Sequence, residues 1–573
     1  MPPFRPFAVK SLLVVAALAT LSAPLRAETA APAGDAGAYL SAHLAAAEND
    51  YAAAATWFDR ALLADPTNPD LLDGAIAAKL ALGDIDGAAA AARLLGDATT
   101  PDKPHVMGSL ALLAADAKSG NFADILKTQG RNHAANALFD DLILGWAAVG
   151  TGAIPDAVAH FDTLSKVDGL QIFGLYHKAL ALGMTGDFAG ADAVLASKPA
   201  EGVFQLRRGI MTRIEVLSQL ERNPEALALF DASFAGQDDA TLTDLRRRLA
   251  AGEPLPFDMV ASAKDGFAEA FFTIALTLDG QVDDSVALLY ARIAADLRPD
   301  LIDAQMVSAR LLDQMGQYDL AAATYAKVPA TDAAYAEAAI GQAQAELSAK
   351  RPDQAIALLT ALSKTRPRDL QVLAALGNAL RQQENYAAAL PVYEAAIALL
   401  PKAEPGNWGL YYARAICKHQ TDDWPGAEAD FKMALTLKPD EPQVLNYLGY
   451  SYVDRGENLD EALKMIQKAV LARPDSGYII DSLAWAYYRL GRVKDAVSPM
   501  EKASLLMPVD AIVTDHLGDV YWVNGRQTEA RFQWRRALSF EPTETDATRI
   551  RRKLEVGLDQ VLTEEKAAGT DGN

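Results

Sequence analysis

An all-α solenoid of about 14 short helical hairpins is the fold class that this 573-residue sequence predicts. Three observations predict it. Apolar residues recur with the 3.6-residue period of helices along nearly the whole chain, and alternating strand patterns are almost absent. The length exceeds what one hydrophobic core sustains. Residues 481–492, DSLAWAYYRLGR, return 34 residues later as DHLGDVYWVNGR at 515–526, which marks a repeating unit.

In chain order, Arg5 and Lys10 flank the start of an apolar stretch at 11–23 that is too short to span a bilayer. Ala27 ends a cleavage site in which Leu25 is larger than ideal. Residues 1–27 are therefore read as a signal peptide, and the chain as exported to a periplasm, soluble or peripherally associated with the envelope. No cysteine stands near that site to carry a lipid anchor, and no later segment has the length and apolarity of a transmembrane span. Residues 28–37 read as a flexible segment.

Residues 38–236 read as degenerate repeats. Ala54, Phe58, Ala61 and Pro66 close one second helix; Gly152, Ala157 and Phe161, then Gly186 and Ala191, then Ala226 and Phe230, mark others. The stretch 237–262 breaks the period with Glu253-Pro254-Leu255-Pro256 and reads as an irregular joint. A regular array follows over 263–543. Its small residues Ala275, Ala309, Ala343, Gly377, Ala415, Gly449, Ala484 and Gly518 step by 34, 34, 34, 38, 34, 35 and 34. Residues 544–567 form a C-terminal capping helix with Ile550, Leu554, Leu558 and Leu562 on one face, because a stack end needs a polar outer cover. Residues 568–573 read as a disordered tail.

Within the two opening copies, Leu483-Ala484, Tyr487 and Gly491 match Leu517-Gly518, Tyr521 and Gly525. Ala496, Met500, Ala503 and Pro508 match Ala530, Trp534, Ala537 and Pro542. This pattern resembles the tetratricopeptide repeat (TPR). Each hairpin's helices, roughly a dozen residues long, are too short to be stable alone. Each unit buries its apolar face only against its neighbours.

The resemblance implies that the first helix of each unit lines an inner, concave face and presents residues beside the packing positions there. Those residues are Asn378, Arg381, Tyr412, Asn446, Tyr450, Tyr478, Asp481, Trp485, Tyr488, Arg489, Asp515, Asp519 and Trp522, with His419 and Asp454 at equivalent places. Trp485, Tyr488 and Trp522 exceed what repeat packing demands, so they are expected to be exposed for docking. Asp481 and Asp515 suit a neutral or basic segment. The stretch 405–560 is also similar to exported bacterial TPR proteins, among them adaptors of a carboxyl-terminal processing protease that receives cell-wall hydrolases.

The chemistry-bearing patterns are missing. There is no phosphate-binding glycine loop, dinucleotide fingerprint, HExxH or GxSxG. The seven histidines are scattered, so neither metal site nor cofactor is expected. Asp283-Asp284 and Asp422-Asp423 sit where helices start, which suits capping better than acid–base work. Cys417 stands alone, so stability rests on packing rather than on a disulfide. The net charge of −22 disfavours nucleic acid and anionic lipid. The expectation is a non-catalytic scaffold or adaptor for protein or peptide partners, a periplasmic protease or cell-wall enzyme among them. The alternative is an envelope carbohydrate-binding component that stacks peptidoglycan or exported polysaccharide on the same aromatics.

Overall fold

The computed structural model describes residues 35–95, 106–129, 137–205, 207–234 and 240–567. The signal peptide at 1–27, most of the 28–37 segment and the 568–573 tail lie outside the described residues. The described residues are all-helical, with 31 α-helices, two short 3₁₀ segments and no strand. The chain divides into two compact units between Gln317 and Tyr318.

The first unit opens with six helix pairs. These are α1 (Ala36–Ala47) and α2 (Tyr51–Leu62); α3 (Pro69–Leu82) and α4 (Ile85–Leu95); α5 (Val106–Ser119) and α6 (Phe122–Gln129); α7 (Ala137–Gly150) and α8 (Ile154–Leu164); α9 (Gln171–Met184) and α10 (Phe188–Leu195); and α11 (Arg207–Gln219) and α12 (Asn223–Phe234). α13 (Ala240–Ala250) follows alone, then the pair α14 (Ala263–Leu278) and α15 (Asp284–Leu297), then α16 (Ile302–Gln314).

The stretch expected to be a joint lies inside this unit and is pinned to α11. Ser218 Oγ accepts from the Leu255 amide at 2.8 Å. Glu215 accepts from the Asp258 and Met259 amides at 3.1 and 3.3 Å. Asn223, on α12, donates to the Glu253 carbonyl at 3.0 Å. Burial, with Asp258 alongside, pushes the Glu215 carboxyl well above its ordinary range.

The segment's course returns α14 to the first helices of the earlier pairs, against α5, α7 and α9, while α15 packs on α3 and α5. Every residue of 266–275 is buried, Glu269 and Thr273 included, so the helix has no solvent face over this stretch. Phe122 stacks on Phe267, and Phe139 meets Phe271 and Tyr290 edge-on. A Cβ at Gly266 would stand 2.0 Å from the Trp146 ring, so only glycine admits this approach. The polar contacts at this interface are paired. Trp146 Nε1 donates to His177 Nδ1 at 2.9 Å, and His177 Nε2 lies 3.1 Å from Thr273 Oγ1. Burial pushes the imidazole down to about 3, so it stays neutral. Arg292, on α15, is buried and donates to the Ala81 carbonyl at 3.0 Å.

The second unit runs α17 (Tyr318–Tyr325), then six pairs: α18 (Tyr335–Ser348) and α19 (Pro352–Thr365); α20 (Leu370–Gln382) and α21 (Tyr386–Ala398); α22 (Trp408–Gln420) and α23 (Trp424–Leu437); α24 (Pro442–Arg455) and α25 (Leu459–Ala472); α26 (Gly477–Arg489) and α27 (Val493–Leu506); α28 (Ala511–Val523) and α29 (Gln527–Leu538). The small residues that set the sequence register are the hairpin contacts. A Cβ at Gly377, Gly449 or Gly518 would meet Tyr393, Ile466 or Trp534 at 2.8, 2.8 and 2.4 Å. Ala343, Ala415 and Ala484 are buried at the same place. Gly491 and Gly525 take φ of +71° and +78° and turn the chain from first to second helix.

Asp423 and Asp283 cap their helices, accepting from the Gly426 and Ser285 amides at 3.1 and 2.9 Å. Cys417 is buried in the apolar contact of α20, α21 and α22, which pushes its thiol up to about 11.

The capping helix expected over 544–567 is broken in two: α30 (Glu544–Val556) and α31 (Leu558–Ala567). Gly557 takes φ +87°, and a Cβ there would approach the Trp522 ring to 2.5 Å. The break lets α31 fold back under Trp522.

Candidate docking groove in the second unit

Three first helices, α24, α26 and α28, with the end of α22 (His419, Gln420) and α30 as walls, line a groove of about 510 Å³. Because these helices are one repeat apart, equivalent positions form columns across them. The fifth residue of each helix gives Asn446, Asp481 and Asp515; the sixth gives Tyr447, Ser482 and His516. Tyr450 and Tyr478 line the groove, and Tyr478 is 49% exposed. Beside it Ile512 is 54% exposed.

Four carboxylates (Asp454, Asp481, Asp515, Asp546) face one guanidinium, Arg549, and two histidines. Burial and the positive Arg455 push His419 down, and its Nδ1 lies 3.1 Å from the Tyr447 hydroxyl. His516 behaves in the opposite way. Burial opposes its charge, but Asp481 at 3.0 Å, with Asp515 and Asp519 behind, holds it above the ordinary imidazole value.

At the α30 end a buried charge cluster closes the groove. Lys553 has no exposed side-chain surface. Its Nζ lies 2.7 Å from Asp515 Oδ2 and 2.7 Å from Asp519 Oδ2. Asp519 also accepts from Trp534 Nε1 at 2.8 Å. Arg549 lies 3.6 Å from Asp519 and 2.7 Å from Glu565. Burial and the neighbouring Asp519 push the Asp515 carboxyl up, against the pull of Lys553.

The structure corrects the expected exposure of several residues. Trp485 is only 3% exposed because it stacks between His516 at 4.0 Å and Tyr488 at 4.8 Å. Trp522 is 9% exposed; it donates to Asp559 of α31 at 2.9 Å and lies under Arg531. Asp519 is fully buried under Lys553. Arg489 turns back to the Asp454 carbonyl at 3.1 Å.

Farther along, Tyr412 is half-buried against Phe431 and Tyr447. Asn378 accepts from the Tyr393 hydroxyl at 2.8 Å. Neither Asn378 nor Arg381 lines the groove. The sequence reading missed Ser451, Ser482, His516, Ile512 and the α30 wall. The sixth-position column was present in the spacing, and Ile512 stands on α28 where Tyr478 stands on α26, as the second residue of the helix.

Three buried polar atoms at the groove have no hydrogen-bond partner: Asn446 Oδ1, Ser451 Oγ and Asp515 Oδ1. Among the described residues no group of three or more His, Cys, Asp or Glu is placed to hold a metal ion. No described helix is long and apolar enough to cross a membrane. In the first unit a smaller cavity of about 230 Å³ lies beside Tyr176, Arg208 and Glu269. There Arg208 pairs with Glu269 and, at 3.0 Å, with Asp303.

Stacked helical hairpins with a 34-residue period and a groove along their first helices define a helical-repeat protein. Residues 306–369 and 374–442 match the family model described as tetratricopeptide repeat, so this part of the chain is built of such repeats. A similar protein is the TPR repeat-containing protein PA4667 of Pseudomonas aeruginosa, 33% identical over 118 residues. The match spans 21% of this chain and 20% of that protein, about a fifth of the relative's length.

Solved structures with similar helical stacking include the APC/C hetero-tetramer Cut9-Hcn1 (15% identity, 91% of this chain and 96% of that chain, TM-score 0.39). Yeast Tom70 is another (16% identity, 78% and 96%, TM-score 0.34). YrrB, described as a TPR protein with an unusual peptide-binding site, is a third (18% identity, 34% and 97%, TM-score 0.27).

Proposed function

We propose that the protein is a non-catalytic scaffold that docks an extended segment of a partner protein in the groove of the second unit. The observation that carries this reading is the groove itself. It is built on helices, and exposed Tyr478 and Ile512 stand beside buried polar atoms that have no partner among the described residues. Apolar anchors with adjacent unmet hydrogen-bonding groups are what a partner segment complements.

The compartment is proposed from the sequence: a signal peptide at 1–27 sends the chain to the periplasm. Fusion of residues 1–34 to alkaline phosphatase should then give active enzyme, and an inactive fusion removes the export reading. Within that compartment, the resemblance of 405–560 to exported TPR adaptors makes a carboxyl-terminal processing protease, or a cell-wall hydrolase delivered to it, the partner to test first.

In-cell crosslinking from position 478, followed by mass spectrometry, should recover a partner, and Tyr450→Ala with Ile512→Ala should abolish recovery. Undiminished recovery in the double variant would place docking elsewhere. The carbohydrate alternative relies on stacking platforms. With Trp485 and Trp522 buried, Tyr447, Tyr450 and Tyr478 are what the groove offers. Sedimentation with purified cell wall separates the two readings.

A further inference from the structure

We infer that the groove recognises a cationic side chain, a lysine or arginine of the docked segment, at the column formed by Asn446, Asp481 and Asp515; this rests on the docking reading above. The three residues are separated by 35 and 34 residues, one repeat each, so they stand at the same place on three successive helices. The chain itself shows what satisfies this column. At its last rung a primary ammonium, Lys553 Nζ, is wholly buried against Asp515 and Asp519 at 2.7 Å. At the middle rung His516 Nδ1 meets Asp481 at 3.0 Å. At the first rung no counterpart is supplied. Asn446 is 8% exposed and its Oδ1 has no hydrogen-bond partner, like the Oγ of Ser451, which is 2% exposed. Asp515 Oδ1, the oxygen turned away from Lys553, is also without one.

The chemistry of these atoms selects the ligand. A carboxylate oxygen and an amide oxygen only accept, so the missing group must donate. An ammonium brings three donors and a guanidinium five. The cations at the groove are already engaged, Arg489 by Asp454, His516 by Asp481, Lys553 by Asp515 and Arg549 by Glu565, so an acidic segment gains little there, whereas a donor meets acceptors left unpaired among the described residues. Tyr450 adds an aromatic ring on which a cation gains further. Exposed Tyr478 and Ile512 give the flanking residues of the segment an apolar seat. The occupant is therefore an extended peptide stretch in which a lysine or arginine is flanked by apolar residues.

The test uses the full chain immobilised and exposed to a random library of capped hexapeptides, with norleucine included as the uncharged counterpart of lysine. Retained peptides are sequenced, and affinities of matched lysine and norleucine peptides are measured. The expected result is enrichment of lysine or arginine at one position and about tenfold tighter binding of the lysine peptide, as for a hydrogen-bonded charge. Asp481→Asn should erase that preference while the norleucine peptide still binds. Should Asp481→Asn fail to fold by circular dichroism, Asp454→Asn at the rim carries the same comparison, with a smaller loss expected. Peptides retained without a cationic preference, or a preference that survives both substitutions, overturn the cation site yet leave groove docking standing, provided Tyr450→Ala abolishes retention. Equal retention by Tyr450→Ala, or no retention at all, overturns the docking reading and this inference together.

Discussion

The two units use the same helical hairpin and treat its inner surface in opposite ways. In the first unit the first helices of the repeats are covered by the chain's own α14–α15 pair, through Phe267, Phe271 and the neutral His177. In the second, the same surface stays open for three repeats and is closed only at the end by α30. The difference does not lie in the repeat. It lies in what the chain supplies next: a helix buried all round over 266–275 in one case, and an amphipathic helix carrying Lys553 in the other. A solenoid face is thus a site or a core depending on whether the same polypeptide occupies it.

The largest effect expected is on the filled face. Phe271→Ala should remove about 3–5 kcal/mol, as for a wholly buried aromatic. In calorimetry the unfolding of the first unit should shift and that of the second should stay. A joint shift of both would dissolve the contrast between the units.

Next, Lys553→Met should cost about 3 kcal/mol by removing the closest cation from buried Asp515 and Asp519, which leaves Arg549 at 3.9 and 3.6 Å. Because protonation relieves them, that loss should shrink in acid, which urea titration across pH would read. A substitution without effect would mean that the cap adds nothing to the open unit.

Gly557→Ala, with its positive φ and the Trp522 ring at 2.5 Å from the new Cβ, should cost about 2 kcal/mol. Tryptophan fluorescence would report Trp522 loosening. Unchanged emission and stability would show that α31 does not hold that ring.

The smallest effects are in pH dependence. The Glu215 carboxyl is raised in the folded first unit. As pH climbs above the ordinary value of 4.5 the unfolded chain therefore releases its proton first, and the unit loses stability until the folded carboxyl also ionises. Glu215→Gln should flatten that decline. In the second unit His516 is also raised. Its contribution is complete below 6.5 and is lost as pH rises through its folded value. His516→Gln should remove that later decline. Melting temperatures of both variants from pH 4 to 9 test whether the first unit begins to soften above 4.5 and the second above 6.5.

The sequence carried the repeat well and the site in part. Gly377, Gly449 and Gly518 could be read as contacts because each must face a bulky residue of the following helix at a fixed spacing. The column of Asn446 and Asp481, with Tyr450 and Tyr478, was legible for the same reason. Trp485 and Trp522 misled because their partners are remote. The rings exceed what the repeat needs, but His516 and Asp559 consume them, and nothing local announces either contact. The fate of α14 was hidden in the same way. Its apolar residues call for burial, yet the surfaces that bury them lie over a hundred residues upstream in α5 and α7. A single glycine at 557 inside an otherwise continuous helical pattern gave no sign of the turn it makes.

Lys553 and the helix that carries it also give the groove an origin. An uncapped repeat surface looks the same after every translation by one hairpin, so a bound strand can slip from one register to the next at no energetic cost. A wall at one end abolishes that degeneracy. Every rung becomes distinguishable by its distance from the stop, and a segment lying in the trough has a defined direction and a countable position.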